Sequence, residues 1–116
     1  MKAVVIALGC LLANFSLASA GPCFPVHGRL DAYNGNPTFR IWIIGSTTIL
    51  GVRDNPEHSR LPRVVKRAFG RDAFTRSIYA DFKVCALTAR RAGAMQMVRI
   101  VSAAHLRVVR VNPYAR

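Results

Sequence analysis

Residues 24–52 read FPVHGRLDAYNGNPTFRIWIIGSTTILGV, and apolar residues alternate with polar ones along most of this stretch. Alternation with a period of two is typical of half-buried β-strands. Two such runs flank the Asn-Gly-Asn-Pro at residues 34–37, a concentration of strong turn formers. A second turn at residues 45–48 precedes the short apolar run at residues 49–52. The stretch therefore predicts a three-stranded antiparallel meander.

The period of the apolar residues changes at residues 59–70, which predict a helix. Its apolar side chains recur at the spacing of one helical face: Leu61, Val64, Val65, Ala68 and Phe69. Ser59 suits the cap at the start, and Pro62 is tolerated in a first turn. Gly70 suits the end of the helix.

The opposite face of this predicted helix is basic. Its candidate polyanion-binding residues are Arg60, Arg63, Lys66, Arg67 and Arg71. A stripe of this kind binds phosphate-rich partners through counterion release. The alternative is a solvated outer face that binds nothing. Three aromatic residues, Tyr33, Trp42 and Tyr79, fall on the charged sides of their strands, where they can cover the sheet or stack against bases or sugars.

Strand alternation returns at residues 78–86, and a loop with two arginines follows at residues 88–93. Residues 95–101 and 106–111 predict two further strands, joined around residues 102–104. The sequence thus predicts a β-rich α+β domain of five to six antiparallel strands with one short helix, in the order β-β-β-α-β-β. The oligonucleotide/oligosaccharide-binding barrel has such an order, so a small barrel of that kind is one topology that the pattern favours.

The first 20 residues have the composition of a cleaved export signal. Lys2 precedes an apolar run at residues 3–12, and small residues lead to an expected cleavage site after Ala20. Cleavage leaves one domain at residues 21–116, in the periplasm or secreted. The apolar run is shorter than the roughly 20 residues of a membrane span, so we expect no stable span after cleavage. Lipoprotein processing at Cys10 is the alternative, with an apolar segment below the roughly 7–15 residues that export signals use.

The chain is strongly basic, with a formal net charge of +12 over 116 residues. The predicted leader holds one basic residue and no acidic one, so the exported domain keeps nearly all of this charge. Such a charge attracts polyanions, among them nucleic acid, lipopolysaccharide, anionic lipid head groups and acidic polysaccharide, and the cell envelope is one place where an exported protein meets them. Fourteen of the seventeen basic residues are arginine, however, and a GC-rich genome produces that composition without selection for binding.

Two cysteines remain after the predicted cleavage, Cys23 and Cys85. In an oxidising compartment two thiols can form only one intramolecular bond, and we expect that disulfide. No pair of cysteine and histidine residues has the spacing of a metal site, and no glycine-rich loop is suited to cradle a phosphate. We therefore expect neither a metal nor a cofactor.

The chain has three histidines, His27, His58 and His105, the residue type whose unperturbed pKa lies near neutrality. Two histidines with a nearby lysine can cleave RNA by general acid–base catalysis, and His27 and His105 can meet if their strands adjoin. Nothing in their spacing requires this contact. The sequence therefore predicts no enzyme and no catalytic residue, but an accessory or binding module. A polyanion binder and a small basic hydrolase such as a nuclease are the alternatives.

Several segments resemble a group of small exported proteobacterial proteins of unknown activity. The similar segments are residues 27–30, 33–35, 40–42, 49–52, 81–85 and 95–98. These segments are spread over most of the chain that follows the leader. The resemblance implies an exported protein, and it brings no activity, ligand or site residue with it.

Overall fold

The computed structural model describes residues 21–53, 61–112 and 114, and the predicted export signal lies outside this part. Five strands form the fold: β1 (Cys23–Ala32), β2 (Phe39–Ile43), β3 (Ile49–Val52), β4 (Arg76–Ala86) and β5 (Met97–Arg110). One helix, α1 (Arg63–Phe69), lies between β3 and β4 in the sequence. The predicted β-rich α+β class and the order β-β-β-α-β-β are confirmed.

The strands close into a ring in the order β1-β2-β3-β5-β4, so that every strand has two neighbours. Four of the five pairings are antiparallel, but β3 and β5 pair in parallel. The prediction that all strands are antiparallel is therefore wrong at this one pairing. Strand directions cannot alternate all the way around a ring with an odd number of strands, so at least one neighbouring pair must be parallel.

The strand alternation predicted from the sequence separates the buried side of the ring from its outer face. The largest fully buried apolar side chains are Phe82, Leu30, Ile41, Leu50, Ile78, Val52, Val65, Val84 and Val98. Gly28 lies among them at a place where two strands come close. A Cβ atom there would lie 2.5 Å from Cγ2 of Ile41, which is too close for any side chain without a shift.

Helix α1 is shorter than predicted: Pro62 precedes its first residue, Arg63. No side chain caps its first turn. The predicted cap, Ser59, lies outside the described residues. Gly70 ends the helix with a φ of 67°, as predicted. The buried side chains of this segment are Leu61, Val65 and Phe69. Val64 is 43 % exposed, against prediction, because so short a helix presents only a narrow stripe to the core. Among the described residues no helix is long and apolar enough to cross a membrane.

Strand β5 is continuous over 14 residues, so the predicted break at residues 102–104 is wrong. Its pairing with β4 changes register twice, between Tyr79 and Asp81 and between Lys83 and Val84. Each shift is a β-bulge, an extra residue that bends and twists a strand without ending it. The bulges interrupt the alternation of apolar and polar residues along β5. In the sequence, such an interruption has the same pattern as a loop between two strands.

Cys23 and Cys85 form a disulfide, which confirms the predicted pairing. The two residues lie directly opposite each other on β1 and β4, with 3.9 Å between their Cα atoms. The bond therefore joins the beginning of β1 to the end of β4. Cys85 is buried although its neighbours in the outward set, Asp81 and Lys83, are exposed.

Candidate functional site

Four side chains form a row across the outer face of the ring, and we call it the arginine–aromatic row. Its members are Trp42 on β2, Arg29 on β1, Tyr79 on β4 and Arg107 on β5. Each is the direct cross-strand partner of the next. The guanidinium of Arg29 lies 5.0 Å from the centre of the Trp42 ring, and that of Arg107 lies 4.4 Å from the Tyr79 ring. Positive charges and flat rings thus alternate at the spacing of neighbouring strands, roughly 4.8 Å.

Arg29 is held in place from beneath by a buried carboxylate. Its Nε donates a hydrogen bond to Oδ2 of Asp31 at 2.6 Å, and the Asp31 side chain is 2 % exposed. The hydroxyl of Ser77 donates to the other oxygen of Asp31. Burial disfavours the charged form of Arg29, but its bonds to Asp31 and Tyr79 outweigh this and raise the pKa of the guanidinium above its usual value. The charge at the centre of the row is therefore permanent and fixed in position.

A third arginine–aromatic contact extends the charged face towards the β1–β2 loop. The guanidinium of Arg40 lies 4.8 Å from the centre of the Tyr33 ring, and its Nε donates to the carbonyl of Pro37 at 3.1 Å. Tyr33 and Arg40 also line an open cleft together with Asp72. Three arginines of the outer face thus present their guanidinium planes against aromatic rings.

A second constellation, which we call the histidine group, lies beside the row on the same face. It consists of His27 on β1, Asp81 on β4 and His105 on β5. Nδ1 of His27 lies 2.7 Å from Oδ1 of Asp81, and Nδ1 of His105 lies 2.9 Å from Oδ2. The sequence left open whether His27 and His105 meet, and the structure brings both to one carboxylate.

The bulge in β5 is what brings His105 to this face. Asp81 pairs with Ala104, and Tyr79 pairs with Arg107. Two residues of β5, 105 and 106, therefore lie opposite one residue of β4, Ala80. In a regular strand the residue after Ala104 would point to the core. His105 instead has a φ of 57°, in the left-handed region that non-glycine residues rarely occupy, and its side chain is 82 % exposed. Strained backbone of this kind is concentrated at functional sites.

The carboxylate determines which nitrogen of each imidazole is free. Hydrogen bonds from His27 and His105 hold the pKa of Asp81 below its usual value, so this group is ionised and accepts on both oxygens at neutral pH. Each Nδ1 must then carry a hydrogen. The Nε2 atoms make no hydrogen bond to any described residue. A neutral imidazole here has a free lone pair at Nε2, and a protonated one has a free N–H.

The basic stripe predicted from the sequence lies elsewhere. Arg63, Lys66 and Arg67 are exposed on α1, and Arg71 is exposed just after it. Arg60 lies outside the described residues. Within the part of the chain that the structure describes, none of these four side chains lies over an aromatic ring. The stripe therefore offers charge alone, whereas the arginine–aromatic row offers charge with flat surfaces.

The aromatic members of the row are evident from the sequence, but the row itself is not. Trp42 and Tyr79 were placed on polar sides of their strands, and that placement is correct. Their arginine partners were missed because Arg29 and Arg107 lie on other strands, and the pairing register is not written in any one segment. The bridging role of Asp81 was missed for the same reason.

Comparison with family models, with curated proteins and with solved structures finds no match to this chain. Within residues 21–53, 61–112 and 114, no group of three or more histidine, cysteine, aspartate or glutamate side chains could hold a metal ion. The function must therefore be argued from the geometry of the outer face.

Proposed function

We propose that this protein is an exported binding module whose ligand is single-stranded nucleic acid, bound on the arginine–aromatic row. The observation that carries the proposal is the alternation of Trp42, Arg29, Tyr79 and Arg107 in one line across four strands. A nucleic acid strand presents phosphates and flat bases in alternation. Guanidinium groups bind the phosphates, and both aromatic rings and guanidinium planes stack against bases.

The flat rings favour nucleic acid over the other polyanions of the cell envelope. Lipopolysaccharide and anionic lipids present phosphate or carboxylate charge without aromatic planes, so a purely cationic surface serves them equally well. In the row, the guanidinium groups of the half-buried Arg29 and the exposed Arg107 each lie within 5.0 Å of the centre of an aromatic ring. Base stacking on such rings contributes roughly 1–3 kcal/mol per base and tolerates any sequence. The proposed ligand is therefore a single strand without sequence preference.

The basic stripe on α1 is the second candidate surface. Arg63, Lys66, Arg67 and Arg71 are exposed and give a local excess of positive charge. Because this stripe has no aromatic partner among the described contacts, it predicts binding that depends on charge density and is indifferent to bases. Heparin and single-stranded DNA would then compete equally well.

Export to the periplasm or beyond the cell is part of the proposal. The disulfide between Cys23 and Cys85 supports an oxidising compartment, because such bonds are rare in the reducing cytosol. The composition of residues 1–20 supports the same location. A signal of this kind is removed, so the binding protein would begin at Gly21.

The proposal predicts that charge reversal on the sheet weakens binding more than an equal reversal on the helix. We expect Arg107→Glu to weaken binding of a fluorescent single-stranded oligonucleotide at least about 10-fold, because like charges then face the phosphates. Arg67→Glu makes the same change in net charge on α1 and is the matched control, with an expected effect below about 2-fold. Fluorescence anisotropy at two salt concentrations measures both, and affinity falls as salt rises.

Three results would contradict the proposal. A larger loss in Arg67→Glu than in Arg107→Glu would move the site to the helix. If Tyr79→Leu binds the oligonucleotide as tightly as the unchanged protein does, bases do not stack on Tyr79. Retention of heparin or anionic vesicles without any oligonucleotide binding at low salt would exclude nucleic acid as the ligand.

A further inference from the structure

We propose that the histidine group is a ribonuclease site that cleaves single-stranded RNA bound on the neighbouring row. The inference rests on the proposed binding function and adds an activity to it. His27 lies two residues before Arg29 on β1, and Asp81 lies two residues after Tyr79 on β4. His105 lies at the β5 bulge, two residues before Arg107. Same-face residues two apart along a strand are roughly 7 Å apart, so the group runs beside the row, within reach of the backbone of a nucleic acid held there.

The geometry supplies the two proton-transfer groups that the reaction needs. Each imidazole donates a hydrogen bond from Nδ1 to Asp81, with Nδ1–Oδ distances of 2.7 Å for His27 and 2.9 Å for His105. In both rings Nε2 is left open to a ligand. When one imidazole is neutral and the other protonated, the group contains a general base and a general acid side by side. Asp81 is a positioning residue, because its two oxygens fix the tautomer and the direction of both rings.

The reaction balances without any further reactant. Nε2 of the neutral histidine takes the proton of a ribose 2′-hydroxyl, and the 2′-oxygen attacks the adjacent phosphorus. The bond from phosphorus to the 5′-oxygen breaks, and the protonated histidine gives its Nε2 proton to that leaving oxygen. The products are a 2′,3′-cyclic phosphate and a 5′-hydroxyl, and the two histidines have exchanged protonation states.

Cationic side chains lie close to the histidine group, where negative charge would develop on phosphorus. Arg29 and Arg107 lie two residues from His27 and His105 along their own strands, and Lys83 lies two residues from Asp81. Cationic groups stabilise the phosphorane-like transition state of phosphoryl transfer. The group lies on the outer face of the sheet and is not among the residues that line the cleft of Tyr33, Arg40 and Asp72, so a long polymer can cross it without threading.

The strain at His105 supports a role beyond packing. A regular β5 would turn residue 105 to the core, and the bulge with its φ of 57° places an exposed imidazole beside Asp81 instead. Exposed contacts between His27, Asp81 and His105 stabilise a fold only weakly, because solvent screens them. These contacts therefore compensate little of the backbone strain, whereas the conformation places both imidazoles on one carboxylate.

The test uses the chain from Gly21 onward and two labelled oligonucleotides of one sequence, one of RNA and one of DNA. We expect the RNA to be cleaved to a 2′,3′-cyclic phosphate, and the DNA to be bound but left intact because it lacks the 2′-hydroxyl. His27→Ala and His105→Ala should each lower the cleavage rate at least about 100-fold while RNA binding is retained. Ser102→Ala, on the same face of β5, is the matched control and should cleave at the unchanged rate.

The pH profile and Asp81 separate catalysis from a structural role. The rate should fall on both sides of an optimum, because one imidazole must be neutral and the other charged. Asp81→Asn should lower kcat and displace that optimum while KM stays equal or falls, since a negative charge is removed from a cationic face. Loss of folding alone would not produce this split.

Several outcomes overturn the inference, and they are distinguishable from failure of the binding function. RNA that is bound but not cleaved ends the ribonuclease proposal and leaves the binding module standing. Cleavage that persists in the His27→Ala, His105→Ala double variant identifies a contaminating enzyme. Equal cleavage of DNA excludes the 2′-hydroxyl as nucleophile. Absence of binding to either oligonucleotide rejects both proposals.

Discussion

Asp31 lies in the outward-facing set of β1, yet its side chain is only 2 % exposed. It accepts hydrogen bonds from Nε of Arg29 and from the hydroxyl of Ser77. A buried carboxylate is tolerated only when its oxygens are bonded and its charge is paired, and Asp31 meets both conditions. The residue connects stability to the proposed function, because the same bond that compensates its burial fixes Arg29 at the centre of the arginine–aromatic row.

We expect Asp31→Ala to lower the free energy of unfolding by about 3 kcal/mol, because it leaves the Arg29 charge and the Ser77 hydroxyl without their acceptor. Urea unfolding followed by tryptophan fluorescence measures the change. Lys83→Ala, an exposed substitution on the same face, should change this free energy by less than about 0.5 kcal/mol. A loss below about 1 kcal/mol in Asp31→Ala would show that the buried carboxylate contributes little.

The element that departs most from regular geometry is β5, whose bulge contains His105. A φ of 57° is disfavoured for residues with a Cβ atom and most strongly for β-branched ones, whereas glycine adopts it freely. The bulge also increases the local twist of the strand, which helps a ring of only five strands to close. One local distortion thus serves both the closure of the sheet and the placement of an imidazole.

Substitutions at His105 should therefore rank by backbone preference. We expect His105→Val to lower the free energy of unfolding by about 1–2 kcal/mol and His105→Gly to leave it equal or higher. The control is His27→Val, at an exposed position of regular strand where a β-branched residue is favoured, and it should be close to neutral. Thermal unfolding of the three variants provides the comparison. If His105→Val is as stable as His105→Gly, the positive φ carries no strain.

At the scale of the whole molecule, the disulfide joins two residues that are 62 apart in the sequence. The sheet ring is held by backbone hydrogen bonds between all neighbouring strands, so the bond is an addition to the closure and not its cause. Its main effect is on the unfolded chain, whose freedom it restricts by closing a long loop.

The double variant Cys23→Ser, Cys85→Ser should keep the fold and lose about 2–4 kcal/mol of unfolding free energy. Guanidinium unfolding of this variant, compared with the oxidised and the reduced protein, measures the loss. The reduced protein and the variant should behave alike, and the oxidised chain from Gly21 onward should present no reactive thiol when denatured. Two reactive thiols in the unreduced protein would contradict the bond and weaken the argument for export.

The fold was largely predictable because its evidence is local. Alternation in residues 24–52 and 78–86 correctly gave the strands and their buried faces, and Gly70 correctly gave the end of the helix. The errors have local causes as well. The bulges in β5 interrupt its alternation, and residues 102–104 were therefore predicted to be a loop. The parallel pairing of β3 with β5 follows from the closure of the ring, and closure cannot be predicted from a single segment.

The sequence by itself determined the strand faces, the helix end and the charge, because each follows from the period or composition of the chain. Only the tertiary structure decided that Arg29 lies between Trp42 and Tyr79, and that His27 and His105 share Asp81. These neighbours come from different strands. Their contact depends on the pairing register of the closed ring, which the chain sets only by packing all five strands at once.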